Sequence, residues 1–287
     1  MKTAHKIALA RIAYETLRSA RKLAGKNDRC VVRRGGLTFE LDLAEGIDFA
    51  IYLGNVFERQ TRRAISRLTE ASATVLDIGA NVGAHTLHLA RCVGPAGKVH
   101  AFEPTGFAYR KLSRNITLNR SLEPRIIAHH CFLAASDQTK VPTSIYSSWP
   151  LIESDRAQTA DGDIHSKHLG QAMPTESAAA RSIDNVLFES NNPPVQLVKL
   201  DVDGFECEVL RGADTLLRES RPIFVMELAP YVLDERGASL AELVDMFRRY
   251  NYRFYDERTN RLLAQTAVGI SNTIRDGESI NVIARAD

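Results

Sequence analysis

Apolar and polar positions along residues 74–287 follow patterns that predict strands and helices in turn. Short apolar runs bounded by glycine, proline or acidic residues indicate strands, and apolar residues every three or four positions indicate helices. The predicted strands cover residues 75–78, 98–104, 125–134, 141–145, 195–202, 222–228, 252–256 and 279–284, and the helices cover 107–119, 204–217 and 240–250. This alternation is typical of an α/β fold with a largely parallel sheet and helices on both faces.

Residues 3–24 have the pattern of a helix. Ile7, Ala10 and Leu17 contribute to an apolar stripe, basic side chains cover much of the remaining surface, and Gly25 is a plausible end. The helix either packs on the core or on a partner subunit of a homo-oligomer, or it lies as a basic helix on an anionic membrane surface. We favour packing, because an apolar stripe in a globular protein usually faces a core.

Two short elements follow this helix. Residues 30–43 alternate around a Gly-Gly turn and predict a β-hairpin, and residues 57–69 predict a second helix. We therefore predict that residues 1–70 form an N-terminal cap and that residues 71–287 form the main domain.

Residues 146–181 interrupt the pattern. They are rich in small and polar side chains and lack periodicity, which indicates a lid-like or disordered insert in the main domain. Asp161, Asp163, His165 and His168 could ligate a metal, since the two histidines are three residues apart. A solvated polar loop is the favoured interpretation.

Composition limits function only broadly. The chain has 287 residues, 44% of them apolar, and a net charge of +2, which gives no strong attraction to nucleic acid. Its four cysteines are scattered without a CxxC pair, as in free thiols of a reducing compartment. No apolar run approaches the roughly 18–20 residues of a membrane span, and Arg11 interrupts the apolar stretch near the N-terminus. These features predict a cytoplasmic protein without a transmembrane segment.

The segment 75–85 predicts a cofactor pocket, because it reads as a buried strand, a glycine loop and a helix start. A phosphate-binding P-loop does not fit, since Gly83 is followed by Ala84 and His85 instead of lysine and a hydroxyl residue. A dinucleotide site is disfavoured, because Asn81 stands where the second glycine of GxGxxG would meet the pyrophosphate. S-adenosylmethionine (SAM) has no phosphate and needs only close backbone approach.

An acidic residue ends the next predicted strand. Glu103 precedes Pro104, and its carboxylate could accept two hydrogen bonds from the hydroxyl groups of a ribose. The same carboxylate would suit the ribose of NAD, so Glu103 does not discriminate between the two cofactors. A plain glycine turn beside a surface glutamate is the structural alternative.

Four motifs taken together resemble the FkbM family of SAM-dependent methyltransferases. They are Asp77-Ile78-Gly79-Ala80-Asn81-Val82-Gly83, Phe102-Glu103-Pro104, Lys199-Leu200-Asp201-Val202-Asp203-Gly204-Phe205-Glu206 and Val209-Leu210-Arg211-Gly212-Ala213. The resemblance covers about residues 30–287 and departs from the family at Asp203, where glutamate is usual. It implies a Rossmann-like class I methyltransferase with a mostly parallel seven-stranded sheet, and methyl transfer to a hydroxyl oxygen.

The candidate cofactor residues come from the resemblance and from the strand ends. Glu58 enters by the resemblance alone, and position in the chain also supports Asp77, Gly79, Asn81, Gly83 and Glu103. Phe132, near the end of the third predicted strand, could pack on adenine or in the core.

A second acidic cluster follows the strand 195–202. Asp201 and Glu227 end successive strands, and the carboxyl ends of parallel strands meet at one edge of a sheet, so we expect the two carboxylates near the glycine loop. They are the predicted catalytic residues, since a carboxylate could take the proton of an acceptor hydroxyl. Binding of Mg²⁺ or Ca²⁺ is an alternative, but no metal is predicted. Asp203 and Glu206 fit acids of a helix N-terminus better.

The sequence thus predicts a SAM-dependent O-methyltransferase for a hydroxyl of a small molecule or glycan, since FkbM-type enzymes are associated with polyketide and sugar tailoring. Nucleic acid is not a predicted substrate, because no basic patch with interleaved aromatic residues is present. An NAD-dependent oxidoreductase and a non-catalytic SAM-binding module are the alternatives. We expect residues 1–29 and 146–181 to select the acceptor.

Overall fold

The computed structural model describes residues 3–54, 57–152, 164–165, 169–191 and 193–287. The helices are α1 Thr3–Leu23, α2 Gly46–Tyr52, α3 Arg59–Leu68, α4 Ala84–Cys92, α5 Gly106–Thr117, α6 Ile183–Glu189, α7 Glu206–Arg211, α8 Pro230–Glu235, α9 Leu240–Arg248 and α10 Ala267–Ser271. The strands are β1 Arg29–Arg34, β2 Leu37–Asp42, β3 Thr74–Ile78, β4 Lys98–Phe102, β5 Ile126–His129, β6 Cys131–Leu133, β7 Ser144–Ser148, β8 Gln171–Pro174, β9 Ala179–Arg181, β10 Val195–Leu200, β11 Ile223–Leu228, β12 Tyr252–Asp256 and β13 Ile280–Ala286.

Seven strands form the main sheet, in the order β12–β13–β11–β10–β3–β4–β5. The strands from β11 to β5 pair in parallel, and β13 is antiparallel to both of its neighbours. This mostly parallel seven-stranded sheet confirms the predicted Rossmann-like class I methyltransferase fold. The order of the strands reverses between β3 and β10, and a crevice at the carboxyl ends of strands beside such a reversal is the usual ligand site of an open α/β sheet.

Both faces of the sheet are covered, as predicted. Val198 and Phe224 belong to one apolar cluster, together with side chains of α7 and α9. Leu197 and Val225 belong to a second cluster, together with side chains of α3 and α4. Because both faces of β10 and β11 are buried, these strands are continuous apolar runs and not alternating ones.

Two predicted elements are each divided in the structure. The strand predicted over 125–134 ends at His129, and β6 leaves the main sheet to pair with β9. The helix predicted over 204–217 ends with α7 at Gly212, where an added Cβ would lie 2.2 Å from the carbonyl oxygen of Ala134. The chain after β6 therefore packs directly on the end of α7, a long-range contact that local periodicity does not reveal.

Part of the insert predicted at 146–181 has regular structure. It contains the end of β7 and the strands β8 and β9, and β7 pairs antiparallel with β8. Residues 153–163 and 166–168 lie outside the described residues, so the lid role stays a prediction. The helices α2, α6, α8 and α10 were not predicted, because each spans five to seven residues and shows too few turns for a periodic pattern.

The N-terminal elements were predicted correctly as a helix, a hairpin and a second helix. Helix α1 packs through one face on α2, and the Tyr14 ring meets the Phe49 ring edge-on with ring centroids 5.8 Å apart. The Tyr14 hydroxyl also donates a hydrogen bond to Asp28, which precedes β1, at 2.9 Å. Leu9 and Ile12 on α1 remain exposed. Among the described residues, none of the helices is long and apolar enough to cross a membrane.

Candidate active site

The glycine loop after β3 is held against the end of β10. Gly79 has a φ of +78°, and an added Cβ would lie 1.9 Å from the carbonyl oxygen of Asp201. The Lys199 ammonium donates to the Gly79 carbonyl oxygen at 3.1 Å. Only glycine fits this combination of left-handed backbone and close approach, so the loop and the β10 end form one rigid edge.

Glu103 lies at the end of β4 with its carboxylate buried and hydrogen-bonded. Its Oε1 accepts from the Thr105 backbone at 2.9 Å and from the Thr105 hydroxyl at 2.6 Å, and its Oε2 accepts from the Asn81 backbone at 3.0 Å. Burial raises the pKa of Glu103, whereas these donors favour the ionised form. The side-chain amide of Asn81 donates from Nδ2 to the Ser147 carbonyl oxygen at 3.1 Å, and this hydrogen bond links the loop to β7.

Asp77 and Gly83 support the loop from behind the cavity. Asp77 is fully buried, and its Oδ2 accepts from the Thr86 hydroxyl at 2.6 Å. Its Oδ1 has no hydrogen-bond partner among the described residues, although the Lys199 ammonium lies 4.0 Å away. Gly83 is the N-cap of α4, and an added Cβ at this position would lie 2.8 Å from Cδ1 of Leu112. Whether these residues bind a cofactor directly stays a prediction.

Phe132 lies on β6 beside the crevice. Its ring meets the Phe205 ring edge-on at 5.1 Å, and the side chain is buried but lines the cavity. His129 stacks on Phe102 at 4.6 Å, and His130 stacks on Tyr109 of α5 at the same distance. The two histidines therefore have a clear packing role, whereas Phe132 is part of the cavity lining.

Asp201 follows β10 and forms an ion pair inside the crevice. Its Oδ2 lies 3.2 Å from the ammonium of the buried Lys199. Burial alone would lower the pKa of Lys199, but the carboxylates of Asp201 and Asp77 outweigh burial and raise the pKa above its ordinary value. Lys199 therefore stays charged and fixes Asp201 next to the glycine loop.

Glu227 ends the neighbouring strand β11, as predicted. Its Oε1 accepts a hydrogen bond from the Ser279 hydroxyl. Burial, followed by the charge of Asp201, raises the pKa of Glu227 to about 8. Burial and the carboxylates of Asp201 and Glu227 also raise the pKa of Asp203 well above its ordinary value. Burial is the largest cause of both raised pKa values, and the charges of neighbouring carboxylates add to it.

Glu206 has a supporting position. It is buried, and its Oε1 accepts from the Val202 and Gly204 backbones at 3.3 and 3.4 Å. Burial raises its pKa to about 7. This arrangement agrees with the interpretation of Glu206 as an acid that stabilises a helix start.

Glu58 precedes α3 and faces the same space from the opposite side. It has a φ of +40°, and its Oε2 lies 2.7 Å from Nε2 of the buried His85. The Phe57 and His85 rings are in contact, with centroids 5.7 Å apart. His85 thus fixes Glu58 at the cavity wall.

A single cavity of about 910 Å³ brings most predicted site residues together. Its lining includes Glu58, Gly79, Asn81, Glu103, Phe132, Asp201 and Glu227. Sequence reasoning missed Lys199, His85 and Tyr231, which also line it. The sequence did contain a signal for Lys199. A lysine inside the apolar run of β10 is unusual, because a buried charge normally needs a partner of opposite charge, and this indicates a nearby carboxylate. His85 and Tyr231 gave no comparable signal.

The metal site considered in the insert falls mostly outside the described residues. His165 packs against Tyr146 and lies 2.8 Å from a carboxylate oxygen of Glu235, while Asp161, Asp163 and His168 fall outside the described residues. In the part of the chain that the structure describes, no group of three or more His, Cys, Asp or Glu side chains is arranged to hold a metal ion.

A family model described as the methyltransferase FkbM domain matches residues 77–254, more than half of the chain. The chain belongs to the FkbM methyltransferase family. The FkbM segment includes the glycine loop, Glu103, Asp201 and Glu227, whereas Glu58 and the helices α1 to α3 precede it.

Individual relatives match this chain over part of their length. Methyltransferase sdnD from Sordaria araneosa is 28% identical over 158 residues, which are 49% of this chain and 60% of that protein. Methyltransferase 1 from Beauveria bassiana is 29% identical over 148 residues, 49% of this chain and 58% of that protein. The structure of methyltransferase FkbM from Methylobacillus flagellatus is 16% identical, with a TM-score of 0.45 and coverage of 77% of this chain and 47% of that chain.

Proposed function

We propose that this chain is a SAM-dependent O-methyltransferase that acts on a hydroxyl group of a small molecule or glycan. The observation that carries the proposal is the Asp201–Glu227 pair, which faces the same cavity as the glycine loop and Glu103. A hydroxyl must lose its proton when its oxygen is methylated, and a general base with a pKa near the working pH suits that task. The pKa of about 8 at Glu227 meets this requirement.

The polar atoms around the glycine loop fit SAM. Glu103 Oε2 accepts a hydrogen bond from Asn81 and, with two lone pairs, retains a position for a ribose hydroxyl. The buried Oδ1 of Asp77 lacks a hydrogen-bond partner among the described residues, but Asp77 does not line the cavity, so we give it a role in holding the loop. We assign Glu103 to the ribose, Phe132 to the adenine, and Gly79, Asn81 and Glu58 to the remaining cofactor contacts, with Asp77 and Gly83 holding the loop.

The chain's own residues would handle the proton. SAM, when bound, supplies a methyl group on a sulfonium, so the transfer depends mainly on alignment of the acceptor. Glu227 accepts the proton of the acceptor hydroxyl, and Ser279 holds the Glu227 carboxyl by donating to Oε1. The negative charge of Asp201, fixed by Lys199, contributes to the raised basicity of Glu227.

Calorimetry tests the cofactor assignment. S-adenosylhomocysteine should bind to the purified protein and NAD should not. Binding of NAD without binding of S-adenosylhomocysteine would refute the SAM assignment and support the oxidoreductase alternative.

Product analysis tests the reaction. The protein is incubated with SAM and a panel of alcohols, glycosides and amines, and the methylated position is located by mass spectrometry and NMR. Methyl transfer to oxygen supports the proposal, and transfer to nitrogen alone contradicts it. S-adenosylhomocysteine binding without transfer to any member of a broad panel would favour a non-catalytic SAM-binding module.

A further inference from the structure

The cavity extends past the acidic cluster to a wall that the proposed chemistry does not use. This wall, called here the apolar wall, is formed by Leu9, Ala10 and Ala13 from α1, by Phe49 and Ala50 from α2, and by Leu53 directly after α2. Both helices precede the segment that the family model matches.

The segment after β7 continues the apolar wall and is fixed to α2. Trp149 and Leu151 line the cavity, and the Gly46 backbone donates to the Trp149 carbonyl oxygen at 2.8 Å. The Leu151 backbone donates to the Ala44 carbonyl oxygen at 2.7 Å. Because these backbone groups bond to each other, this part of the wall is preformed and offers mainly carbon atoms to a ligand.

Charge at the cavity disfavours an anionic acceptor. Its titratable lining includes six carboxyl groups, of which Asp203, Glu206 and Glu227 have pKa values raised mainly by burial, against two cationic side chains, Arg59 and Lys199. Lys199 is engaged by Asp201 and by the Gly79 carbonyl oxygen. A phosphate or carboxylate on the acceptor would therefore meet a net negative surface.

The size of the cavity allows a second ligand beside a cofactor. The smallest ligand pockets have volumes of roughly 300 Å³, and this cavity has a volume of about 910 Å³, so one ligand need not fill it. A glycan in the remaining space would bring several hydroxyl groups to the aliphatic side chains of α1 and α2. Those side chains offer no hydrogen bonds in return, which makes burial of the hydroxyl groups unfavourable.

We propose that the acceptor is a neutral alcohol with an apolar body, whose hydroxyl lies at Asp201 and Glu227 and whose body packs between α1 and α2. This inference rests on the proposed O-methyltransferase function and narrows its substrate class from small molecules and glycans to apolar alcohols. The residues of the apolar wall then determine acceptor specificity, whereas the strand ends determine the chemistry.

A neutral fluorescent probe, N-phenyl-1-naphthylamine, tests the wall directly. The probe is titrated into the full chain with and without S-adenosylhomocysteine, and it is then competed with 1-decanol or with methyl α-glucoside. We expect saturable binding in both states and displacement by decanol but not by the glucoside. Absence of probe binding, or displacement by the glucoside at a similar concentration, would overturn the inference.

Two matched tryptophan substitutions on α1 locate the probe. Ala13 lines the cavity, whereas the exposed Ile12 is absent from its lining, and both side chains are exposed enough to be replaced without disturbing the core. Ala13→Trp should weaken binding of the probe and of decanol about tenfold, because the indole would occupy the space beside the apolar wall. Ile12→Trp should change these affinities less than about twofold. Equal effects of the two variants would place the probe elsewhere and contradict the inference.

A third variant and the cofactor titration separate the two hypotheses. Leu53→Asp adds a charge to the wall and should also weaken the probe about tenfold or more, while S-adenosylhomocysteine affinity stays within about twofold of the parent chain. S-adenosylhomocysteine binding without probe binding refutes the apolar acceptor alone. Probe binding without S-adenosylhomocysteine binding refutes the proposed function and leaves the wall as an apolar ligand site.

Discussion

Two glutamates at the same edge of the sheet have opposite environments. Glu103 at the end of β4 accepts three hydrogen bonds, from the Thr105 backbone, the Thr105 hydroxyl and the Asn81 backbone. Glu227 at the end of β11 accepts from the Ser279 hydroxyl and lies near the carboxylate of Asp201. Burial raises the pKa of both side chains, but hydrogen-bond donors partly offset this effect at Glu103, whereas a like charge adds to it at Glu227.

This contrast separates binding from proton transfer. Donors around a carboxylate favour its ionised form and fix its position, which suits recognition of a ligand's hydroxyl groups. A carboxylate beside a like charge gains and loses a proton near neutral pH, which suits a general base. The same residue type in equivalent strand positions therefore supports two roles that depend on neighbouring groups.

The sharpest test of the contrast is Glu227→Gln. An amide keeps the shape of the side chain but cannot take a proton, so methyl transfer should fall about 10²–10⁴-fold, with S-adenosylhomocysteine affinity unchanged. Single-turnover assays with an accepted alcohol measure the loss, and Glu219→Gln at an exposed position serves as the control. Retained turnover would remove Glu227 from the mechanism, and the same assay on Asp201→Asn would then decide whether Asp201 is the base.

Gly79→Ala tests the rigid edge between the loop and β10. The new Cβ would overlap the Asp201 carbonyl oxygen, so we expect a loss of about 4 kcal/mol or more in the free energy of unfolding, together with loss of S-adenosylhomocysteine binding. Gly94→Ala is the matched control, since Gly94 also has a positive φ but no atom within 4 Å of the added Cβ. It should cost only about 1–2 kcal/mol from backbone strain. Urea unfolding compares the two, and similar losses would contradict the close approach.

Glu103→Gln tests the recognition half of the contrast. The amide nitrogen cannot accept the hydrogen bonds that the carboxylate receives, so we expect S-adenosylhomocysteine affinity to fall about 10–100-fold. Calorimetry measures the affinity at a pH where the parent chain is fully folded. An unchanged affinity would show that Glu103 only supports the loop.

The pH dependence of stability gives the smallest expected effect. The pKa of Glu227 rises from an ordinary value of 4.5 to about 8 in the folded chain. Between these values the folded protein binds the proton more tightly than the unfolded chain, so the contribution of Glu227 is present at low pH and is lost as the pH rises through about 8. Thermal unfolding of the parent chain, compared with Glu227→Gln from about pH 5 to about pH 9, should show the parent losing stability relative to the variant. A constant difference would contradict the raised pKa.

Much of the architecture could be predicted from local pattern. The buried strands β3, β10 and β11 are uninterrupted apolar runs bounded by glycine, proline or acids, and each lies within two residues of its predicted bounds. The order of elements also placed Asp201 and Glu227 on neighbouring strands, because sequential parallel strands tend to pair. The division of the strand over 125–134 escaped prediction, because its second part, β6, pairs with β9, which is far away in the chain.

The sequence by itself determined the family, the sheet and the strand ends that carry the acids, since these depend on periodicity and on short motifs. The tertiary structure alone decided how the acids differ, because the donors to Glu103 and the charge beside Glu227 come from separate segments. It also brought Glu58 to His85 and the helices α1 and α2 to the cavity. Burial and the approach of like charges arise only when the chain is folded, so the chemistry of the site depends on packing as well as on residue type.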